Sequence, residues 1–146
     1  MDFRKQVQNH NILSISIGLV YLWFGILKFF PEYSPAEDLA KNTIGLLTFE
    51  YIPTQISIVL LAIWETLVGV LLISNLFRKV AVKLALVQML CTFLPFIFFT
   101  KDAFAIAPFG FTLLGQYIFK NVIIIAALFT IYFHPEKSQN LEATNK

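Results

Sequence analysis

Charge is scarce in this chain. Of its 146 residues only 14% are Asp, Glu, Lys or Arg, while 58% are hydrophobic; a soluble domain carries about 25% and 45–50% respectively. So much Leu, Ile and Phe has no place in a water-soluble globule of this length, and a single helical membrane domain accounts for it. Cysteine is nearly absent: Cys91 stands alone inside an apolar run, which excludes an intramolecular disulfide and a Cys-x-x-Cys redox or zinc pair. Histidine is almost as rare. His10 and His134 fall just outside the first and last apolar runs, so neither is placed to ligate haem or metal inside a bundle, and no such centre is expected. The formal net charge of +2 is small and scattered, which argues against a nucleic-acid partner and leaves the basic residues to act as topology signals.

What the chain does have is long apolar runs, which predict an all-α fold: a four-helix transmembrane bundle over residues 1–137, with helices at about 12–30, 55–76, 80–99 and 112–133, and a polar tail at 138–146. The first run follows Arg4 and Lys5 and superficially resembles a secretory signal. It is longer and bulkier than a signal core of roughly 7–15 residues, lacks small residues for cleavage, and ends in Lys28-Phe29-Phe30-Pro31. It is therefore read as a retained helix. Between the first two runs, Ser34-Pro35-Ala36-Glu37 has the form of a helix start, with Ser as N-cap, Pro at the first helical position and Glu closing a capping box. The short helix that follows, about 35–47, is too polar to span and is expected at the membrane interface. Thr100 to Phe111 reads as a Phe-rich connector. Arg4, Lys5, Arg78, Lys79, Lys83, Lys137 and Lys146 all fall on one side of a four-helix arrangement. The positive-inside rule makes that side, with both termini, cytoplasmic. Tyr33, Tyr51 and Tyr132 lie near the predicted boundaries, where interfacial aromatics belong.

The residues that hydrocarbon should exclude carry the functional signal, because a charge at mid-membrane costs ~2.5–3.5 kcal/mol on insertion scales. Glu65 lies about ten residues into the second run, ~15 Å deep at 1.5 Å per residue. Ala62 and Gly69 flank it on one small-residue face suited to close helix packing. Gln116 and Lys120 share a face of the fourth helix, followed by Asn121; Gln88, Thr92 and Pro95 form a stripe on the third; Lys28 closes the first. These positions predict an interior polar site in which Glu65 handles a proton and Lys28, Gln88, Thr92, Gln116, Lys120 and Asn121 bind a ligand, with Glu65 and Lys120 facing each other or a shared ligand. Other readings stand beside this one. Lys28 could snorkel to the head groups, Glu65 and Lys120 could be a structural ion pair, and Gln88 and Thr92 read well as interhelical hydrogen-bond glue. Cys91 reads as a small buried hydrophobe, and Trp23 and Trp64 as packing residues within the bundle.

Gly25-x-x-Lys28 at the end of helix one, Glu65-x-x-x-Gly69 in helix two, and Gly115-Gln116-Tyr117-x-x-Lys120-Asn121 in helix four together resemble the DoxX-like membrane proteins, over about residues 13–132. The closing motif is also similar to the reactive-chlorine-resistance inner-membrane proteins. One position departs: family members often open helix one with an arginine, where this chain has Ser14. The resemblance implies a four-helix bundle in a bacterial inner membrane and, in one branch, a small membrane subunit of thiosulfate:quinone oxidoreductase. The first functional reading is accordingly a quinone-linked oxidoreductase subunit or accessory, with no covalent cofactor and a quinone held in an apolar pocket with few polar groups. A redox partner subunit and self-association are both compatible with it. A small transporter or proton pathway and a non-catalytic scaffold of a membrane complex are the alternatives.

Overall fold

A computed structural model describes the backbone of residues 3–30, 37–106 and 109–133, with side chains from residue 11 on. In chain order the elements are α1 (Phe3–Leu27), α2 (Glu37–Leu47), α3 (Thr54–Ser74), α4 (Arg78–Cys91), α5 (Pro95–Phe98), α6 (Thr100–Ala103), β1 (Phe104–Ile106), β2 (Gly110–Phe111), α7 (Leu113–Phe119) and α8 (Asn121–Phe133). The fold is essentially all-α. Three rods among the described residues are long and apolar enough to cross a membrane, Thr54–Ser74, Arg78–Phe98 and Leu113–Phe133, each of 21 residues. At 1.5 Å per residue such a rod is about 31 Å long, the thickness of a bilayer's hydrocarbon core. These features make the chain a membrane protein. The apolar part of α1, Asn11–Leu27, is shorter.

Two of the long rods are interrupted, and the first interruption has a clear cause. Pro95 has no N–H to give to the carbonyl of Cys91, so α4 ends there, the chain turns through residues 92–94, and α5 resumes with Pro95 at its first position. The last rod tightens at Lys120, where Ile123 N–H bonds the Lys120 carbonyl three residues back, dividing it into α7 and α8. α7 starts where the sequence predicts, since Thr112 caps it by accepting from Gly115 N–H at 3.0 Å. The Phe-rich connector folds more than a connector needs to. It forms α6 and a small antiparallel hairpin pairing Phe104 with Phe111, and Phe96 packs on both rings with centroids 5.3 and 5.5 Å away.

α1 and α3 make the most intimate contact, and glycine is the reason. A Cβ on Gly18 would stand 2.9 Å from the Gly69 carbonyl oxygen, one on Gly69 2.7 Å from Leu22 N, and one on Gly25 2.7 Å from Thr66 N. The two helices therefore approach backbone to backbone, antiparallel, from Ser14 beside Leu72 to Gly25 beside Thr66. Ser14 is buried in this seam and donates to the Leu72 carbonyl at 3.0 Å. α4 packs against α3, and α8 runs antiparallel to α4, with Asn121 beside Thr92 at one end and Tyr132 beside Lys83 at the other. Ile17, Tyr21, Val68, Leu72, Val82, Met89, Leu128 and Ile131 form the shared core.

The molecule thus has two distinct ends. At one, Asn11 accepts from Arg78 Nη1 at 3.2 Å, bringing the start of α1 to the α3–α4 turn and the end of α8. At the other lie α2, α6 and the hairpin. The expected cap at Ser34 and Pro35 lies outside the described residues, as do His134, Lys137 and the tail at 138–146; α2 is described from Glu37 onward, with Lys41 bridging back to Glu37 at 2.8 Å. Trp23 and Trp64 do not pack inside. Both are exposed, Trp23 at 65%, so they sit on the outer surface of the rods. In apolar surroundings an indole needs no burial against protein.

Candidate functional site

Glu65 is 8% exposed and both of its carboxylate oxygens are engaged. Lys28 Nζ donates to Oε2 at 2.7 Å, and Gln88 Nε2 donates to Oε1 at 2.7 Å. Three elements therefore meet at one carboxylate: the end of α1, the middle of α3 and α4. The glycine seam permits this, because Gly25 brings the α1 backbone against Glu65 Cβ, one turn before Lys28. Side chains on a helix lean toward its N-terminus. Lys28 accordingly folds back along α1, within 3.5 Å of the Phe24 carbonyl and 5.9 Å from the centre of the Phe24 ring, and reaches down to Glu65. Its side chain is 9% exposed, which is the opposite of snorkelling to the head groups.

The expected Glu65–Lys120 pair does not form. Lys120 is exposed on the outer face of the last rod, its Nζ 5.1 Å from the Tyr117 ring centre, and Gln116 is exposed on the same face. Asn121, the next residue, does turn inward: its Nδ2 donates to Thr92 Oγ1 at 3.2 Å, and Thr92 in turn donates to the Met89 carbonyl at 2.6 Å. Ile118, Asn121, Ile124, Leu128 and Ile131 form the inward stripe, spaced by three or four residues. Gln116 and Lys120 lie beside that stripe, not on it.

Lys28, Glu65, Gln88, Thr92 and Asn121 border one cavity of about 270 Å³. Everything else around it is apolar or nearly so. α2 supplies one wall through Leu39, Thr43, Ile44 and Leu47; Phe24, Met89, Pro95, Ile118 and Ile124 supply others. Cys91 is partly buried in the same lining, a less enclosed position than a core residue has. The turn before Pro95 matters here, since it places Thr92 where Asn121 can reach it. Tyr21 borders the cavity too and fixes its hydroxyl on the Ala85 carbonyl at 3.1 Å; nothing in the pattern of charges pointed to it. α2, expected from the sequence at the edge of the bundle, packs against α3 and forms a wall of the cavity.

The orientation of the Gln88 amide is determined by its neighbour. An ionised carboxylate only accepts, so the amide nitrogen must face Glu65 and the amide oxygen must face away. That oxygen is buried with no hydrogen-bond partner among the described residues, as is Thr66 Oγ1. A polar cluster left incompletely satisfied in an apolar setting is unusual, and it fits a place that receives a further polar group. Among the described residues, no group of three or more His, Cys, Asp or Glu side chains gathers to hold a metal.

No family model, curated protein or solved structure matches the chain. The chemistry of the site must therefore be argued from its own geometry.

Proposed function

We propose that this chain is a four-span protein of a bacterial inner membrane, with both termini cytoplasmic, whose Glu65 cluster holds the head group of a quinone for an oxidoreductase. The observation that carries the reading is the Lys28–Glu65–Gln88 cluster at the edge of an otherwise apolar cavity. Ligand sites of this kind combine greasy walls with a few fixed polar groups. A quinone ring is flat, has two carbonyl acceptors and an apolar tail, and suits a cavity slightly below the usual range of about 300–1,000 Å³. Lys28 has ammonium protons beyond the one given to Glu65, and Asn121 has a second amide proton; these are the donors for the two carbonyls. The apolar wall of α2 accommodates the start of the tail. Reduction of a quinone adds two electrons and two protons. The electrons would arrive from a redox partner subunit, and the Lys28–Glu65 pair would lie on the route by which a proton reaches the ring oxygen.

Topology supports the same reading. α1, though shorter in its apolar part, lies along α3 and shares its core, which favours reading it as the fourth span, with α2 as an interfacial helix over the cavity. The order of the glycine, lysine and glutamate motifs resembles that of the DoxX-like proteins, one branch of which is quinone-linked.

The test is to extract the protein in native-lipid particles and quantify quinone by mass spectrometry. Quinone should accompany the wild-type chain well above its level in the surrounding lipid and should be lost from a folded Lys28→Met/Glu65→Leu variant. Equal quinone in both, at the background level, would end this proposal. A second reading is favoured by one specific fact: both Glu65 oxygens already have partners within the protein, as a pure helix lock would require. Under that reading the double variant keeps every activity of the complex it serves.

A further inference from the structure

A second cleft, of about 370 Å³, lies at the end of the molecule away from α2 and the hairpin, between the start of α4 and the end of α8. Its polar lining is basic, with Arg78 and Lys79 from the first turn of α4, and no carboxylate borders it among the described residues. Lys83, one turn further along, stands 6.0 Å from the ring centre of Tyr132, which also lines the cleft. The apolar lining consists of Phe77 and Val80, which are exposed, and Val82 and Ile131, which are buried. α3 ends at Ser74, α4 starts at Arg78 and α8 ends at Phe133, so the cleft sits where apolar rods give way to polar chain. In a membrane protein that is the level of the lipid head groups.

Cations at the mouth and apolar side chains in the lining match one kind of molecule, an anion joined to a hydrocarbon chain. A free inorganic anion would use the cations and gain nothing from the exposed Phe77 and Val80. A zwitterionic lipid would bring its own ammonium against Lys79 and Lys83. We infer that this cleft binds the head group of an anionic phospholipid, with the phosphate among Arg78, Lys79 and Lys83 and the first acyl carbons against Phe77 and Val80. Basic pockets between membrane helices bind acidic head groups in this way, each cation near the surface contributing several-fold in affinity. Arg78 also bonds Asn11, so an occupied cleft would draw the start of α1 and the α3–α4 turn into one unit.

The test uses the delipidated full-length protein and native mass spectrometry, titrating phosphatidylglycerol, phosphatidylcholine and inorganic phosphate separately. Phosphatidylglycerol should bind about tenfold or more tightly than phosphatidylcholine. Lys79→Gln and Lys83→Gln should each weaken it about fivefold, while Lys79→Arg and Lys83→Arg, which keep the charge, should not. Both lysines are exposed, so their replacement leaves the core intact. Equal binding of the two lipids, no response to the Gln variants, or displacement of the lipid by millimolar phosphate alone would overturn the inference.

Discussion

Glu65 in α3 and Lys120 between α7 and α8 each place a full charge inside an apolar rod, yet the protein treats them oppositely. Glu65 is buried and held by groups from two other helices, whereas Lys120 is exposed and touches only a neighbouring tyrosine ring. The surroundings follow suit. The apolar stretch of α3 is 39% buried, against 22% for the last rod. Depth explains the difference. Glu65 lies about 15 Å from either end of its rod and has a short side chain, so only protein can solvate it. Lys120 lies nearer its end, on a flexible stem long enough to reach polar surroundings, and needs no interior partner.

The largest effect should come from breaking the buried pair on one side only. Lys28→Met leaves the Glu65 charge without its cation and should cost about 3–5 kcal/mol, read as thermal or denaturant unfolding in nanodiscs. Combining it with Glu65→Leu should recover most of that loss, because two apolar groups of similar size replace the pair without stranding a charge. If Lys28→Met were no worse than Lys120→Met, the contrast between the two rods would collapse.

A smaller effect tests whether backbone proximity is what delivers Lys28. Gly25→Ala drives a methyl into the Thr66 backbone and should cost about 1–3 kcal/mol, while weakening the Lys28–Glu65 coupling in a double-mutant cycle. Gly45→Ala is the internal control: a Cβ there meets nothing within 4 Å, so the substitution should be neutral or stabilise α2 by up to about 1 kcal/mol. Equal losses at both glycines would show that the seam has no special role. Below these comes Asn121→Ala, which removes one interhelical hydrogen bond to Thr92 and should cost about 1 kcal/mol.

Much of this was legible before any coordinates, and the failures share a cause. The apolar runs, the essentially all-α fold and the small-residue face shared by Ala62, Glu65 and Gly69 follow from local pattern. The identity of Glu65's partner does not. Lys28 and Lys120 were both near enough in depth, and the choice turned on the rotation of the last rod, which one residue of phase decides: Asn121 faces inward and Lys120 does not. The apolar residues carried the missing information, since Ile124, Leu128 and Ile131 continue the stripe of Asn121. The rod is apolar on all sides, however, so that stripe has little contrast in sequence. The hairpin at 104–111 is too short for a periodic signal, and its rings pack on Phe96 from outside it; the wall formed by α2 depends on how that helix turns back on α3, which periodicity does not encode.

The smallest expected effect is the most exacting test of the depth argument. Gln116 and Lys120 fall on the same face as each other and within a motif that resembles a family signature, so motif reasoning gives them weight that the geometry withholds. If exposure decides, Lys120→Gln should cost about 0.5 kcal/mol, the low end for an exposed cation–π contact with Tyr117. Gln116→Leu should cost less still, and neither should change the amount of quinone retained in native-lipid particles. Loss of quinone without loss of stability in Lys120→Gln would mean that the last rod rotates by about one residue when the site is occupied, bringing Lys120 to the cavity. In that case rotation of the last rod, and not depth, would set the difference between the two charges.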